Sequence, residues 1–205
     1  MNLTKEIIGL LGVNCYFLTD DNVAVIIDPA KFTDKIKNFC ETNSQKEIVV
    51  LLTHCHCDHI LGAEEIRTKY GAKIMIGKED EIGLKDTSIS LADKLRFKQN
   101  PFSADILLED NDLIKVGDIE IKVISTPGHT KGGVCYLVLD MLFSGDTLFL
   151  ESFGRTDFYG GNAETLKASI DKLLCLPEDI KVYPGHGEPT TISHEKKYNL
   201  YKGYL

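Results

Sequence analysis

Four residues of types that commonly bind metal ions lie within six consecutive positions, directly after an apolar run at residues 48–52. They are His54, His56, Asp58 and His59. A neutral imidazole offers a nitrogen lone pair and a carboxylate offers an anionic oxygen, so this segment could bind a borderline-soft ion such as zinc, or two ions side by side. One isolated histidine would be expected to be a surface residue, but this density and spacing predict a metal site.

Two cysteines, Cys55 and Cys57, alternate with these residues. In an extended segment successive side chains point to opposite sides, so both cysteines are expected to face away from His54, His56 and Asp58. We therefore interpret them as small buried hydrophobic residues rather than as metal ligands or nucleophiles. A role in sensing oxidation is the alternative.

Three further apolar runs end in the same way, with one or two turn-forming residues followed by a side chain that can bind a metal. These side chains are His129, Asp146 and His186, and a glycine precedes each of them. Each run is typical of a strand followed by a sharp turn. Because the carboxyl ends of strands line one edge of the sheet in layered α/β proteins, all of these residues are expected to converge on one cleft.

Strand-like and helical segments alternate along the chain, which predicts an α/β or α+β protein with helices packed outside sheets. Strands are predicted near residues 7–11, 15–19, 23–28, 48–53, 73–76, 113–116, 119–126, 134–139, 141–145 and 180–183, and helices near 33–41, 60–70, 79–85 and 163–174. Residues 86–105 carry the least pattern and could form an insertion over the cleft. Ser193 is predicted to cap a polar helix ending near Leu200, which leaves His194 in solvent.

The composition is that of one ordinary globular domain spanning residues 1–205. With 23 Lys and Arg against 31 Asp and Glu, the formal net charge is −8, and no basic cluster is available for phosphates. Nucleic acid is therefore not an expected partner. The start of the chain does not resemble a signal peptide, and no apolar run approaches the ~20 residues that span a bilayer. With six scattered cysteines, the sequence predicts a cytoplasmic protein with reduced thiols, no membrane partner and a small-molecule substrate.

The segments that carry these residues are recognisable as a set. Residues 53–59 with Gly62, then 127–130, 145–149 and 184–187, resemble the five-part signature of the metallo-β-lactamase superfamily, in its order and over nearly the whole chain. The resemblance implies a four-layer αββα sandwich, with two sheets face to face and helices outside. Within the superfamily, Asp58-His59 together with the run at 145–149 is similar to the glyoxalase II-like branch, the hydroxyacylglutathione hydrolases.

The resemblance also implies a ligand set. By this resemblance, His54, His56 and His129 bind a first metal, Asp58, His59 and His186 bind a second, and Asp146 bridges both. It implies two divalent ions, with zinc expected and iron or manganese as alternatives, and Asp58 and Asp146 as the catalytic carboxylates.

The chain departs from full glyoxalase II enzymes after the last ligand. Those enzymes continue into a helical domain that helps to bind the glutathione portion of the substrate, whereas only residues 187–205 follow His186 here. That domain is not expected in this chain. Residues 154–158 also resemble a stretch of short glyoxalase II-like hydrolases and of persulfide dioxygenases. Arg155 falls near a basic residue that glyoxalase II uses on the thiol carrier, and Tyr159 is expected close by. The alternative for both is a surface Arg and a packed Tyr in a loop.

Two adjacent divalent cations lower the pKa of a bridging water from about 15.7 toward about 7 and polarise a carbonyl oxygen. The leading function is therefore hydrolysis of a thioester or another small activated carbonyl compound. The first alternative is a mononuclear iron dioxygenase acting on a persulfide, with His54, His56 or His129, and Asp146 as a two-His-one-carboxylate site.

Three other classes are less well supported by the sequence. A binding protein without turnover is disfavoured because every ligand is present. Nuclease members of the superfamily usually bring an additional domain, and the acidic balance opposes a polyanionic substrate. Antibiotic-hydrolysing members are typically exported, and the sequence shows no export signal.

Overall fold

Two six-stranded sheets form the centre of the computed structural model, which describes residues 1–204. The strands are β1 (Asn2–Ile8), β2 (Val13–Thr19), β3 (Val23–Ile27), β4 (Glu47–Leu52), β5 (Lys73–Gly77), β6 (Ile106–Leu108), β7 (Leu113–Val116), β8 (Ile119–Ser125), β9 (Val134–Val138), β10 (Met141–Gly145), β11 (Leu148–Phe149), β12 (Ser152–Phe153), β13 (Lys181–Pro184) and β14 (Thr190–Thr191). The helices are α1 (Asp34–Thr42), α2 (Cys57–Ile60), α3 (Ala63–Tyr70), α4 (Glu81–Lys85), α5 (Ala92–Leu95), α6 (Ala163–Leu174), α7 (Ile192–Tyr198) and α8 (Tyr201–Tyr204), with a 3-10 turn at Lys78–Asp80.

The order and direction of the strands decide at which edge of each sheet the predicted ligand residues lie. The first sheet has the order β1-β2-β3-β4-β5-β6, and its last four strands are parallel. The second has the order β14-β13-β10-β9-β8-β7, in which β10 and β13 are parallel. Since β9 is antiparallel to both β8 and β10, the strands β8, β10 and β13 all end at the same edge of this sheet.

Three apolar clusters account for the layering. Side chains in β3 alternate: Val25 and Ile27 pack between the two sheets, whereas Ala24 and Ile26 face the helices outside the first sheet. The first outer layer includes α1, α3 and α4, and the second outer layer, over the other sheet, includes α6, α7 and α8. The predicted four-layer αββα sandwich is confirmed.

Several predicted boundaries were wrong. The first strand covers Asn2–Ile8 rather than residues 7–11, and residues 9–12 form the turn into β2. The helix predicted over 60–70 is divided into α2 and α3 at Gly62. A Cβ atom on Gly62 would lie 2.7 Å from the Pro29 carbonyl oxygen, so the chain must pass close to the backbone of another segment there. Residues 86–105, which had no clear pattern, contain only the short helix α5.

The cap predicted for the C-terminal helix was also wrong. Thr191, not Ser193, caps α7, and its side chain accepts the hydrogen bond of the His194 amide. Both residue types favour this position. The pairing of β14 with β13 places Thr191 at the end of a strand, and so sets where the helix begins. Of the helices in residues 1–204, none is long and apolar enough to cross a membrane.

Candidate metal centre

All seven predicted ligands lie where the two sheets meet at one edge. His54 follows β4 of the first sheet, whereas His129, Asp146 and His186 follow strands of the second. Backbone hydrogen bonds join the sheets at this point. The Val134 amide donates to the Thr53 carbonyl, with an N···O distance of 2.9 Å. The predicted convergence of the strand ends is therefore what the structure shows.

Glycine is required immediately before two of these residues. Gly145 has φ +49°, and a Cβ atom there would collide with the Thr53 side chain. A Cβ atom on Gly185 would collide with the Asp146 carboxylate and lie 2.8 Å from the His59 ring. The turns thus bring backbone within contact distance of the ligand side chains, which no residue with a side chain allows.

The first cluster consists of His54, His56 and His129. One ring nitrogen of each lies within 4.8 Å of one ring nitrogen of the other two, and all three residues are buried. His56 Nδ1 and His129 Nε2 are only 2.9 Å apart. Three imidazoles thus present nitrogen atoms to a common point.

The second cluster consists of Asp58, His59 and His186. The Nε2 atoms of His59 and His186 are 3.3 Å apart. The Asp58 carboxylate lies 3.7 Å from His59 and 3.6 Å from His186. His59 is fully buried, whereas the side chain of His186 is 27% exposed, so the second cluster is the one that opens toward solvent.

Asp146 lies between the two clusters. Its Oδ1 atom is 3.5 Å from His59 Nε2. Its Oδ2 atom is 3.6 Å from His129 Nε2 and 3.6 Å from His186 Nε2. One carboxylate therefore contacts a histidine of the first cluster and two of the second, as a bridging ligand would.

Hydrogen bonds at the outer nitrogen orient four of the five histidines. In His59, His129 and His186, Nδ1–H donates to Asp28 Oδ2, the Arg155 carbonyl and the Leu11 carbonyl, respectively. In His54, Nδ1 lies 3.0 Å from the Thr53 hydroxyl oxygen, which donates its own proton to Asp28. Each of these bonds fixes its ring through Nδ1 and leaves Nε2 free of that contact, which is the arrangement that metal-binding histidines require.

Three buried polar atoms of the predicted ligand residues lack a hydrogen-bond partner. Buried His54 Nε2, His56 Nε2 and Asp146 Oδ1 make no hydrogen bond within residues 1–204. Ring nitrogens also crowd together in both clusters, with His56 Nδ1 facing His129 Nε2 at 2.9 Å and His59 Nε2 facing His186 Nε2 at 3.3 Å. Such groups are costly to bury unless a cation accepts the lone pairs. The donor set of nitrogen and carboxylate oxygen suits zinc or iron, and the two clusters are consistent with a dinuclear metal site.

The two clusters differ in their electrostatics. Burial, together with the neighbouring His129, lowers the pKa of His56 to about 3. Burial also opposes charge on His59, but the carboxylates of Asp58, Asp146 and Asp28 outweigh it and raise the pKa of His59 to about 10. His56 therefore offers a neutral nitrogen, whereas the carboxylates of the second cluster favour a cation.

Asp28 orients one histidine of each cluster rather than acting as a metal ligand. Its Oδ1 accepts from the Thr53 amide at 2.8 Å, and its Oδ2 accepts from the Thr53 hydroxyl at 2.7 Å and from His59 Nδ1 at 2.9 Å. Asp28 also lies within 4.8 Å of nitrogen atoms of His54 and His59, a grouping that could itself hold an ion. Because both of its oxygens already accept hydrogen bonds, we assign Asp28 to the orientation of these two histidines.

Replacing Asp28 with asparagine is expected to weaken metal binding about 10- to 100-fold, because His59 loses the carboxylate that fixes its ring. Competition with a chromogenic chelator measures this affinity. Asp140→Asn is the matched control, since it removes a carboxylate from an exposed ion pair with Lys181. Equal affinity in wild type and Asp28→Asn would show that Asp28 does not orient the site.

A second buried carboxylate, Asp80, ties together the loops of the first cluster. Its oxygens accept hydrogen bonds from the Cys55 amide at 2.9 Å, the Thr130 hydroxyl at 2.7 Å and the Gly132 amide at 2.6 Å. Cys55 lies between His54 and His56, and Thr130 follows His129. Asp80 therefore connects the segments that supply this cluster from the two sheets.

The residues predicted to contact substrate lie in different surroundings. Arg155 is exposed, pairs with Asp157 and lies 4.1 Å from the centre of the Phe158 ring. Phe158 in turn contacts the His56 ring, with 5.9 Å between ring centres, so this loop borders the first cluster. Tyr159 is exposed and lines a surface depression with Lys85 and Lys131 that includes none of the predicted metal ligands.

The cysteines and His194 lie outside the centre. Cys55 and Cys57 are fully buried, and Cys55 belongs to the apolar cluster outside the first sheet, as expected for small hydrophobic residues. The extended geometry assumed for Asp58 was wrong, because Cys57–Ile60 forms the helical turn α2. His194 is only partly exposed, since its Nε2 pairs with Glu151 at 2.9 Å and its ring packs on Tyr198.

Comparison with known proteins gives a consistent result. The family model described as "Metallo-beta-lactamase superfamily" matches residues 8–186. "Probable metallo-hydrolase YqgX" of Bacillus subtilis is 36% identical over 196 residues, covering 94% of this chain and 93% of that protein. "Glyoxylase B2" of Dictyostelium discoideum is 35% identical over 182 residues, covering 82% of this chain and 62% of that protein. The crystal structure of "BLEG-1 B3 metallo-beta-lactamase" superposes with a TM-score of 0.90 at 34% identity, covering 98% of this chain and 99% of that one.

Proposed function

Because the chain belongs to the metallo-β-lactamase superfamily, we propose that it is a metal-dependent hydrolase of thioesters or similar small activated carbonyl compounds. The observation that carries this proposal is the position of Asp146 between two complete clusters of ligand atoms. In the proposal, His54, His56 and His129 hold one ion, and Asp58, His59 and His186 hold the other. Zinc is the expected metal, with iron or manganese as alternatives.

When bound, two such ions would supply Lewis acidity, which lowers the pKa of a water and stabilises charge on a carbonyl oxygen. The residues of the chain keep this chemistry in place. Asp58 and Asp146 accept hydrogen bonds from the attacking water and orient it toward the substrate. Asp28, Thr53 and the Leu11 carbonyl fix the imidazole rings, so that little reorganisation is needed during the reaction.

The proposed reaction consumes one water and one thioester. The water oxygen forms a bond to the carbonyl carbon, and the carbon–sulfur bond breaks with its electron pair passing to sulfur. The sulfur takes up one proton of the water and leaves as a thiol. The other proton is released to solvent with the carboxylate product. No oxidant or reductant is required.

A persulfide dioxygenase is the alternative to the proposed hydrolase. That reaction needs a single iron held by two histidines and one carboxylate, and it leaves several further ligands of this centre without a role. The second cluster, with its three ligand groups and negative charge, supports the dinuclear hydrolase instead.

Metal analysis and two assays test the proposal. We expect two ions per chain, thiol release from an acyl thioester detected with a chromogenic disulfide, and no oxygen uptake with glutathione persulfide. One iron per chain with oxygen uptake would establish the dioxygenase instead. If the protein opens a β-lactam ring and cleaves no thioester, it is a hydrolase, but thioesters are not its substrates.

The proposal includes the cellular setting expected from the sequence. All six cysteines are free and five are buried, which suits a reducing cytoplasm. The acidic net charge of −8 favours a small-molecule substrate over nucleic acid.

A further inference from the structure

A small apolar pocket adjoins the second cluster. It has a volume of about 100 Å³, and we call it the turn pocket. Its walls include Leu10 and Leu11 of the turn between β1 and β2, with Ala30, Lys31, Leu61 and Phe97 from other segments. Asp58 is also a lining residue, so the pocket and the second cluster share a side chain.

The turn that forms this wall is both apolar and tied to the centre. Leu10 is 99% exposed and Leu11 is 46% exposed, so their side chains present hydrocarbon to solvent beside the ligand residues. The Leu11 carbonyl accepts the hydrogen bond of His186 Nδ1 at 3.0 Å. An apolar group held by this turn would therefore lie close to the second cluster, and it would remove leucine surface from water.

The side of the centre next to the first cluster has the opposite character. Phe158 lies against His56, and the cationic groups of Lys94 and Arg155 lie 4.3 and 4.1 Å from the centre of its ring. Lys94 and Arg155 are exposed. This open, charged surface suits a large polar group, whereas the turn pocket has room only for a small apolar one.

We propose that the turn pocket receives an unbranched aliphatic acyl chain and that the thiol carrier lies on the side of Phe158. The proposal rests on the thioester hydrolase function proposed above and specifies its substrate class. It predicts a preference for butyryl and hexanoyl thioesters over acetyl and lactoyl thioesters of the same thiol. The lactoyl group carries a hydroxyl, and the leucine, alanine and phenylalanine side chains that form most of the walls offer it no hydrogen bond.

Kinetics with a series of acyl groups on one carrier test the proposal. Each methylene buried in the pocket is expected to raise kcat/KM about fourfold, so that butyryl exceeds acetyl by about tenfold or more. Ala30→Leu places bulk in the pocket and is expected to abolish this preference. Phe97→Ala enlarges the pocket and is expected to move the preference to longer chains.

Leu10→Ala and Leu139→Ala form a matched pair, because both residues are exposed leucines in turns between strands. Leu10→Ala is expected to reduce the butyryl-to-acetyl ratio about threefold or more, whereas Leu139→Ala leaves it at the wild-type value. Bound metal is measured in every variant to confirm that the centre is intact.

Equal kcat/KM for all acyl groups in wild type, with no change in Ala30→Leu or Phe97→Ala, would overturn the pocket assignment and leave the thioesterase intact. Failure of wild type to cleave any thioester would instead overturn the proposed function, and the acyl assignment with it.

Discussion

Replacing Asp146 with alanine is expected to reduce bound metal to well below one ion per chain and to lower kcat/KM by about 10³-fold or more. The structure places the Asp146 carboxylate within 3.6 Å of histidines in both clusters. Its negative charge would offset the repulsion between two adjacent cations. Loss of one preorganised electrostatic contact alone costs about 10²- to 10³-fold, and here the ions are lost as well.

Elemental analysis and steady-state kinetics on the same preparations measure both effects. Asp146→Asn keeps the size of the side chain and removes its charge, so it separates charge compensation from packing. His194→Ala is the control, since it removes a histidine whose partner is Glu151 and is expected to retain metal and activity. Wild-type metal content in Asp146→Ala would refute the bridging assignment.

Removal of metal by a chelator is expected to abolish activity and to lower the midpoint of thermal unfolding. Without cations, the buried Nε2 atom of His54 and the Oδ1 atom of Asp146 lack partners. A ligand present at about a thousand times its Kd stabilises the folded state by about 4 kcal/mol, and this contribution disappears on chelation. Calorimetry and activity assays before and after dialysis follow the change.

Titration of metal back into the stripped protein distinguishes one site from two. We expect full activity to return only as the second ion per chain binds. Asp146→Ala supplies the control, because chelation should hardly change the unfolding midpoint of a protein that already lacks metal. Full recovery at one ion per chain would favour the mononuclear alternative, and activity that survives complete metal removal would exclude both.

Much of the fold follows from local sequence signals, and the exceptions share a cause. Helix α6 has the predicted bounds because Asn162 caps it: the Asn162 side chain accepts from the Thr165 amide. The break at Gly62 depends instead on the approach of Pro29, and the choice of Thr191 over Ser193 depends on pairing with β13. Contacts with residues far away in the chain decide such boundaries, and no local pattern contains them.

The residues of the candidate centre could be predicted because side chains of types that bind metals directly follow strands. These strands end at the edge where the two sheets meet. The same rule extends to residues that the sequence reasoning missed. Asp28 directly follows β3, and Asp80 closes the 3-10 turn after β5, so both belong to the pattern that identified His54 and Asp146. Their supporting roles could not be predicted, because a carboxylate that orients histidines and one that binds metal have the same sequence signature.

Because the Leu11 carbonyl is hydrogen-bonded to His186, binding of an ion at His186 and binding of a substrate beside the turn can each affect the other. A molecule that shifts the turn also shifts the ring it holds, and thereby alters the affinity for an ion at that ring. Thermodynamic reciprocity then requires the ion to alter the affinity for that molecule by the same factor. In the proposed enzyme, occupancy by metal and affinity for substrates would thus be coupled through a single peptide group.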